Sequence, residues 1–169
     1  TMLFHQATTL TNKPFLWEKK NGTYQPLSWN EVADQITALA QCLKTQGITS
    51  GDRVTLISEN RAMWFISDFA IMAIGAITVP AYITNSTADH LHILSDSGSK
   101  AAIVSTTRLA TRLIPAIDQS NEVKFVITLE QPELIPKKAK LLKWDSVIAE
   151  NKGSYSAIVE LAKSFCDED

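Results

Sequence analysis

Short apolar runs alternate with longer apolar stretches of helical spacing along most of this sequence. Between positions 51 and 80, a run rich in β-branched residues (53–58) precedes an apolar stretch (63–74) and a second short run (76–79). Short aliphatic runs are typical of covered strands, and a stretch that is apolar on nearly every side predicts a buried helix. The segment therefore predicts a right-handed βαβ crossover. Gly75 is placed to end the helix, and Pro80 to end the second strand.

The same patterns predict elements on both sides of this unit. Asn21-Gly22 between two strand-like runs indicates a β-hairpin. Ser28 and Glu31 form a capping box at the start of a helix that Gly47 is placed to end. Asn60 is placed to cap the helix at 63–74. Further strands are predicted at 101–105 and 124–129, and further helices at 86–97, 107–120, 144–150 and 154–165. Residues 1–13 are predicted to be an irregular arm and residues 131–143 a loop. Alternating strands and helices predict an α/β fold, with a layered and mostly parallel sheet flanked by helices.

Length, charge and cysteine content limit the classes of protein. The length of 169 residues fits one domain. The formal net charge of −2 argues against a nucleic-acid-binding module. The apolar stretch ending at Ile83 is broken by Gly75 and Pro80 and is shorter than a bilayer requires, so no transmembrane segment is predicted. Cys42 and Cys166 are interpreted as buried or free thiols of a reducing cytosol.

Candidate catalytic and ligand-binding residues are few. There is no GxxxxGK[ST] or GxGxxG motif, so a phosphate loop and a dinucleotide-binding domain are disfavoured. His90 and His92 are two positions apart and point in different directions on a helix, which excludes an i,i+4 metal pair. Asp68 lies within the apolar helix and requires a partner, for which Arg53 and Arg61 are the candidates.

Two groups of side chains allow more than one interpretation. The four lysines between 137 and 143 could meet a membrane surface or an acidic partner. A solvated loop is favoured, because Leu141 and Leu142 form no clear amphipathic face. The aromatic residues could line an apolar ligand tunnel, although core packing is the more common role of such spacing: Trp29, Trp64, Phe65, Phe69 and Tyr82. The residues by themselves thus indicate a soluble α/β domain without a recognisable catalytic constellation.

A series of short motifs, ordered along residues 13–130, resembles a known family. The motifs are Ser28–Glu31, Gly51–Val54, Ser58–Arg61, Trp64, Gly75-Ala76, Val79–Tyr82 and Asp96–Gly98. They resemble the N-terminal part of adenylate-forming (AMP-binding) enzymes, and most closely that of long-chain fatty acyl-CoA synthetases. An ordered series of this length is more specific than any single motif.

The resemblance implies a two-step reaction that uses ATP, Mg²⁺ and CoA. A fatty acid carboxylate attacks the α-phosphate of ATP to give an acyl-adenylate and pyrophosphate, and the CoA thiol then displaces AMP. The protein mainly positions charges and stabilises the phosphoryl transition state in such a reaction. The implied substrate is a medium or long fatty acid.

The sequence departs from the family in one respect: the phosphate loop and the later catalytic segments of the family are not found in it. In the family, an acidic stretch such as 167–169 commonly precedes the strand that leads into the phosphate loop. We therefore expect residues 1–169 to be a partial N-terminal domain, inactive alone, and no catalytic, ATP-binding or metal-binding residue is assigned. The matched positions are expected to be structural: Asp52, Arg53, Asn60, Trp64, Gly75, Pro80 and Tyr82.

The resemblance also suggests where the protein acts and what it contacts. The expected partners are the rest of the parent chain, a fatty acid, CoA and a second copy in a homodimer. A cytoplasmic location is expected, with peripheral membrane contact as an alternative. The competing hypothesis is a stand-alone, non-catalytic α/β module that binds an acyl group or a protein partner.

Overall fold

The computed structural model describes residues 2–151 and 155–165, apart from the side chain of Lys20. Cys166, the acidic stretch 167–169 and the predicted start of the last helix at 154 lie outside the described residues. The elements in chain order are α1 (Met2–Leu10), β1 (Pro14–Lys20), β2 (Thr23–Ser28), α2 (Trp29–Thr45), β3 (Arg53–Ile57), α3 (Ala62–Ala73), β4 (Ile77–Pro80), α4 (Thr87–Ser97), β5 (Ala101–Val104), α5 (Thr107–Gln119), β6 (Phe125–Thr128), β7 (Lys140–Lys143), α6 (Trp144–Glu150) and α7 (Tyr155–Ser164).

Five strands form one parallel sheet in the order β4-β3-β5-β6-β7. Strands β1 and β2 form a separate antiparallel hairpin. The sheet strands are short aliphatic runs, and β3, β5 and β6 are buried almost throughout. Parallel strands are normally covered on both faces in this way. The predicted fold class is therefore confirmed.

Helices cover both faces of the sheet and create two apolar cores. Side chains of α1, α2, α3, α6 and α7 pack against one face, where Val54 and Leu56 of β3 point. Side chains of α4 and α5 pack against the opposite face, where Ile57 of β3 points. Because side chains alternate along a strand, each central strand contributes to both cores.

Several local predictions from the sequence are confirmed. Asn21 and Gly22 have φ values of 51° and 82°, as a tight hairpin turn requires. The Ser28 hydroxyl accepts a hydrogen bond from the N–H of Glu31 at 3.2 Å, and the Ser28 N–H donates to the Glu31 carboxylate at 2.7 Å. Gly75 follows α3 with a φ of 72°, a value that favours glycine.

Within the predicted irregular arm at 1–13, Met2–Leu10 form a helix instead. Helix α1 packs on α2 and buries Leu3, Phe4 and Ala7. The Tyr155 hydroxyl donates a hydrogen bond to the carbonyl of Phe4, and the two rings meet edge to face at 5.2 Å. Contacts with distant parts of the chain thus stabilise this helix.

Three other predictions require correction. The segment 131–143 is not a loop throughout, because its last four residues form β7 beside β6. Helix α3 has Arg61 rather than Asn60 at its N-cap, and no side chain caps it. Asp68 is half-buried, and neither predicted arginine forms an ion pair with it. Arg53 donates to the carbonyls of Ser97 and Gly98. Arg61 lies near the carboxylates of Glu18 and Glu130.

Candidate functional site

The direction of the chain changes between β3 and β5. After β3 the chain passes through α3, on one face, to β4; it then returns through α4, on the other face, to β5 on the opposite side of β3. In open parallel sheets, such a point leaves a crevice at the carboxyl ends of the strands, and ligands commonly bind there. The segments that follow β3, β4, β5 and β6 are therefore the first place to examine for a functional site.

Glu59 follows β3 and lies at the centre of a polar cluster at this edge. The Ser105 hydroxyl, which follows β5, donates to the Glu59 carboxylate at 2.6 Å, and Nη2 of Arg108 lies 3.7 Å from it. Burial raises the pKa of Glu59, but the hydrogen bond from Ser105, its own backbone and the nearby Arg61 and Arg108 lower it below its usual value. The carboxylate is thus ionised at neutral pH and joins the ends of β3 and β5.

A second carboxylate joins the end of β6 to the same cluster. The N–H of Thr107, in the first turn of α5, donates to the Glu130 carboxylate at 3.0 Å. Arg61 places Nη1 3.9 Å from Glu130 and Nε 3.8 Å from Glu18 of the hairpin. The Glu130 carboxylate thus accepts a hydrogen bond from a free backbone N–H at the N-terminus of α5, where a negative charge is favourable.

An apolar groove of about 530 Å³ lies beside Glu59. One wall carries the ring of Trp64, which is half-buried on α3. The opposite wall is the segment after β4, where Tyr82 is 81% exposed. The complete lining is Ser58, Glu59, Asn60, Trp64, Pro80, Ala81, Tyr82 and Ile83. A mostly apolar lining with a few polar groups at one side is typical of small-molecule sites.

The aromatic residues do not form one continuous tunnel. Trp64 and Tyr82 line the groove at the carboxyl edge, whereas Trp29 and Phe69 line a separate apolar cleft of about 450 Å³ beside α1. Phe65 stacks on Phe69 at a centroid distance of 4.3 Å and connects that pair to the hairpin. The single tunnel considered from the sequence is therefore replaced by two separate apolar surfaces.

The seven predicted structural positions divide between the two edges of the sheet. Asn60, Trp64, Pro80 and Tyr82 all line the groove at the carboxyl edge. Asp52, Arg53 and Gly75 lie at the amino edge. The positions chosen as structural thus include four that border the candidate site.

The amino-edge residues make contacts between elements. The Thr49 N–H donates to Asp52 at 2.9 Å, and Lys100 Nζ lies 2.5 Å from the same carboxylate. Burial opposes ionisation, but these contacts hold the pKa of Asp52 at about 2. Arg53 Nη2 donates to the Gly98 carbonyl at 3.0 Å, which attaches the end of α4 to β3.

Sequence reasoning missed the polar members of the site, which are Glu59, Ser105, Arg108 and Glu130. Each follows a strand of the observed sheet directly or within a few residues. Their position after a strand could have indicated a shared site, because the carboxyl ends of parallel strands meet at one edge of the sheet. The signal requires the strand order, which the sequence pattern does not supply.

Histidines and acidic side chains were also examined as metal ligands. His90 is buried and His92 exposed, so they point in different directions as predicted. Among residues 2–151 and 155–165, no three His, Cys, Asp or Glu side chains are grouped so that they could hold a metal ion. The same part of the chain contains no helix long and apolar enough to cross a membrane.

Comparison with known proteins identifies the family. Residues 3–160 match the model of the AMP-binding enzyme family, and the chain belongs to this family. It is 40% identical over 91 residues to the long-chain-fatty-acid–CoA ligase FadD15 of Mycobacterium tuberculosis, covering 54% of the chain and 15% of that protein. It is 24% identical over 132 residues to the Arabidopsis thaliana long-chain-fatty-acid–[acyl-carrier-protein] ligase AEE15, covering 77% of the chain and 18% of that protein. The resemblance inferred from the motifs is confirmed.

Solved structures show the same fold. The coronafacic acid ligase of Pectobacterium brasiliense superposes with a TM-score of 0.75 at 19% identity, over 89% of this chain and 29% of that one. The anthranilate CoA ligase AuaEII superposes with a TM-score of 0.74 at 20% identity, over 89% of this chain and 27% of that one. The chain therefore spans less than a third of each of these structures.

Proposed function

We propose that this chain is the N-terminal part of an ATP-dependent fatty acyl-CoA synthetase and that it has no ligase activity by itself. The family match over residues 3–160 supports the proposal, and so does the identity to a long-chain-fatty-acid–CoA ligase. The chain covers only 15% and 18% of the length of the two ligases compared above, which leaves most of the parent enzyme outside it. Fatty acid, ATP and CoA are the substrates expected of that parent.

The described residues do not offer a set of ligands for the Mg²⁺ that the family reaction implies. The carboxylates of the candidate site are already engaged, Glu59 by Ser105 and Glu130 by the N-terminus of α5. No step of the adenylation reaction is therefore assigned to this chain. We propose that its contribution is to position the neighbouring parts of the parent enzyme and to shape the acyl-binding surface.

The groove beside Glu59 is the observation that carries this proposal. It lies at the carboxyl edge of a parallel sheet, next to the point where the chain changes direction, and its walls carry Trp64 and the largely exposed Tyr82. An aliphatic chain of a fatty acid is chemically suited to such walls. We propose that this groove forms part of the wall of the acyl pocket in the parent enzyme.

The test compares ATP–pyrophosphate exchange by the full-length gene product with octanoate and with palmitate. We expect Tyr82→Ala to raise KM for palmitate more than for octanoate, with a smaller change in kcat, because lost apolar contact weakens binding of the longer chain. The matched control is Tyr24→Ala, which removes a tyrosine that is 64% exposed on the hairpin. Equal effects of the two variants would contradict the assignment of the groove.

Association with the rest of the parent chain, or with a second copy, is part of the same proposal. Met2 and Met72 are exposed and line the apolar cleft beside α1. Exposed apolar surfaces of this kind are typical of interaction sites. We propose a cytoplasmic enzyme with peripheral membrane contact. Concentration-dependent self-association of the isolated chain in size-exclusion chromatography is the expected result.

A further inference from the structure

The apolar cleft beside α1 is lined by two of the three methionines of the chain. Met2 of α1 is 78% exposed and Met72 of α3 is 47% exposed. These residues are far apart in the sequence and share a surface only because α1 and α3 both border the cleft. The fold therefore places two solvent-accessible thioethers on one apolar surface of about 450 Å³.

The surroundings of these two methionines are almost entirely apolar. Phe15 and Trp29 both line the cleft, and their rings stack at a centroid distance of 3.7 Å. Phe69 also lines it and precedes Met72 by three positions on α3, so both side chains lie on one face of that helix. Among the described residues that line the cleft, none is charged, and Gln6 supplies the one side-chain amide. A polar group introduced at the methionines would therefore have few hydrogen-bonding partners in the cleft.

The third methionine, Met63, is buried by the same helix that exposes Met72. The two residues lie about two and a half helical turns apart on α3, and therefore on opposite faces. Met63 is 4% exposed, and its sulfur accepts a hydrogen bond from the Ser67 hydroxyl at 3.3 Å. Because oxidation of methionine requires access to the sulfur, Met63 serves as an internal reference for the two exposed residues.

We propose that Met2 and Met72 are a modification site at which hydrogen peroxide converts the cleft from an apolar to a polar surface. A sulfur lone pair attacks one peroxide oxygen, an S–O bond forms and the O–O bond breaks. The departing hydroxide takes up the proton of the transferred oxygen and leaves as water. The thioether is thereby oxidised by two electrons to a sulfoxide, and the peroxide is reduced. Sulfoxide reductases return the thioether, so the change is reversible.

Weaker association of this face is the consequence, and it rests on the contact proposed above for the cleft. A sulfoxide buried against an apolar partner without a hydrogen bond is unfavourable. Methionine-rich surfaces are sensitive to oxidation in this way, because their flexible thioethers supply adaptable apolar contact. The site is distinct from the groove beside Glu59, since no described residue of that groove is a methionine.

The experiment treats the purified chain with hydrogen peroxide and locates the oxidised residues by peptide mass spectrometry. Met2 and Met72 should react first, and Met63 at least about tenfold more slowly, because its sulfur is reached only after local opening of the structure. Binding of Nile red, an uncharged apolar dye, is measured before and after treatment. The affinity of the cleft for the dye should fall about tenfold or more, through the polar groups introduced into an apolar contact. In size-exclusion chromatography, the same treatment should shift the self-associated chain towards the monomer.

Matched variants separate the two methionines from general oxidative damage. Met2→Leu/Met72→Leu keeps apolar side chains of similar volume that peroxide does not oxidise, so treatment should change its dye affinity by less than about twofold. Met63→Leu should lose affinity on treatment as the wild-type chain does. Methionine sulfoxide reductases should restore the oxidised wild-type chain, whereas dithiothreitol alone, which reverses disulfide formation, should not. Circular dichroism verifies that each variant is folded.

Three results would overturn the proposal. One is oxidation of Met63 as fast as that of Met2 and Met72. A second is an equal loss of dye affinity in Met2→Leu/Met72→Leu and in the wild-type chain. A third is an oxidised wild-type chain whose dye affinity is unchanged. Absence of self-association in the untreated chain would instead contradict the association proposed above, and the mass spectra and dye affinities would still decide whether the modification site exists.

Discussion

Replacement of Asp52 by Asn tests how strongly the amino edge of the sheet depends on one ionised carboxylate. Asp52 is almost fully buried, accepts the Thr49 N–H at 2.9 Å and lies 2.5 Å from Lys100 Nζ. The side-chain amide of the variant would still accept a hydrogen bond but would leave Lys100 without its counter-charge. We therefore expect Asp52→Asn to lower the free energy of unfolding at neutral pH.

The pKa of Asp52 limits the size of this effect. The folded value of about 2 lies below the ordinary value of 3.8. Each pKa unit corresponds to about 1.4 kcal/mol, so the upper limit is about 2.5 kcal/mol. Lys100 is one-third exposed, and solvent screening of the pair reduces the expected loss to about 1–2 kcal/mol.

The same pKa determines the pH dependence. A carboxyl group whose pKa is lower in the folded state stabilises the fold above its unfolded pKa and loses this contribution as pH falls. The stability difference between wild type and Asp52→Asn should therefore be constant above about pH 5. It should shrink between about pH 4 and pH 2, where Asp52 becomes protonated and resembles the neutral amide of the variant.

Urea unfolding followed by circular dichroism at pH 7, 5, 4 and 3 measures both quantities. Glu160→Gln is the control, because the Glu160–Lys163 pair is well exposed and should contribute almost nothing. A difference between wild type and Asp52→Asn that persists unchanged at pH 3 would refute the electrostatic explanation. A loss equal to that of Glu160→Gln at pH 7 would refute the assigned magnitude.

Two further predictions concern buried positions. His90 is fully buried with both ring nitrogens unpartnered, and burial lowers its pKa. Unfolding therefore takes up a proton, so the free energy of unfolding should fall as pH decreases below about 6.5. In urea titrations, His90→Leu should remove the part of this pH dependence that the histidine contributes. An unchanged pH profile in the variant would contradict this account. Gly75→Ala should destabilise by about 2 kcal/mol or more, because φ is 72° and a Cβ atom would lie 2.7 Å from the Ser50 hydroxyl oxygen. Gly47→Ala should destabilise the protein less, because φ is also positive there, at 89°, but no atom lies near the position of the added Cβ. Equal losses of melting temperature in the two variants would show that the close contact at Gly75 does not contribute.

Much of the fold follows from patterns that the sequence displays locally. The hairpin at Asn21-Gly22, the capping box of Ser28 and Glu31, and the βαβ unit over 51–80 each depend on residues close together in the chain. Turn chemistry and capping involve only short-range hydrogen bonds, so they can be recognised without a partner element. The ordered motifs over the same region were also sufficient to identify the AMP-binding family.

Long-range packing decided the remaining features. Helix α1 forms because its apolar face meets α2 and Tyr155, and β7 forms because β6 offers a free edge. Neither stabilising surface can be read from the short segments themselves, whose own propensities are weak.

The candidate site likewise depends on strand order. Glu59, Ser105 and Glu130 are far apart in sequence and meet only because β3, β5 and β6 are adjacent and parallel. The sequence by itself determined the family, the alternation of strands and helices and the local caps, since these depend on neighbouring residues. The tertiary structure alone decided which strand ends share an edge, because that choice depends on burying apolar faces across the whole chain.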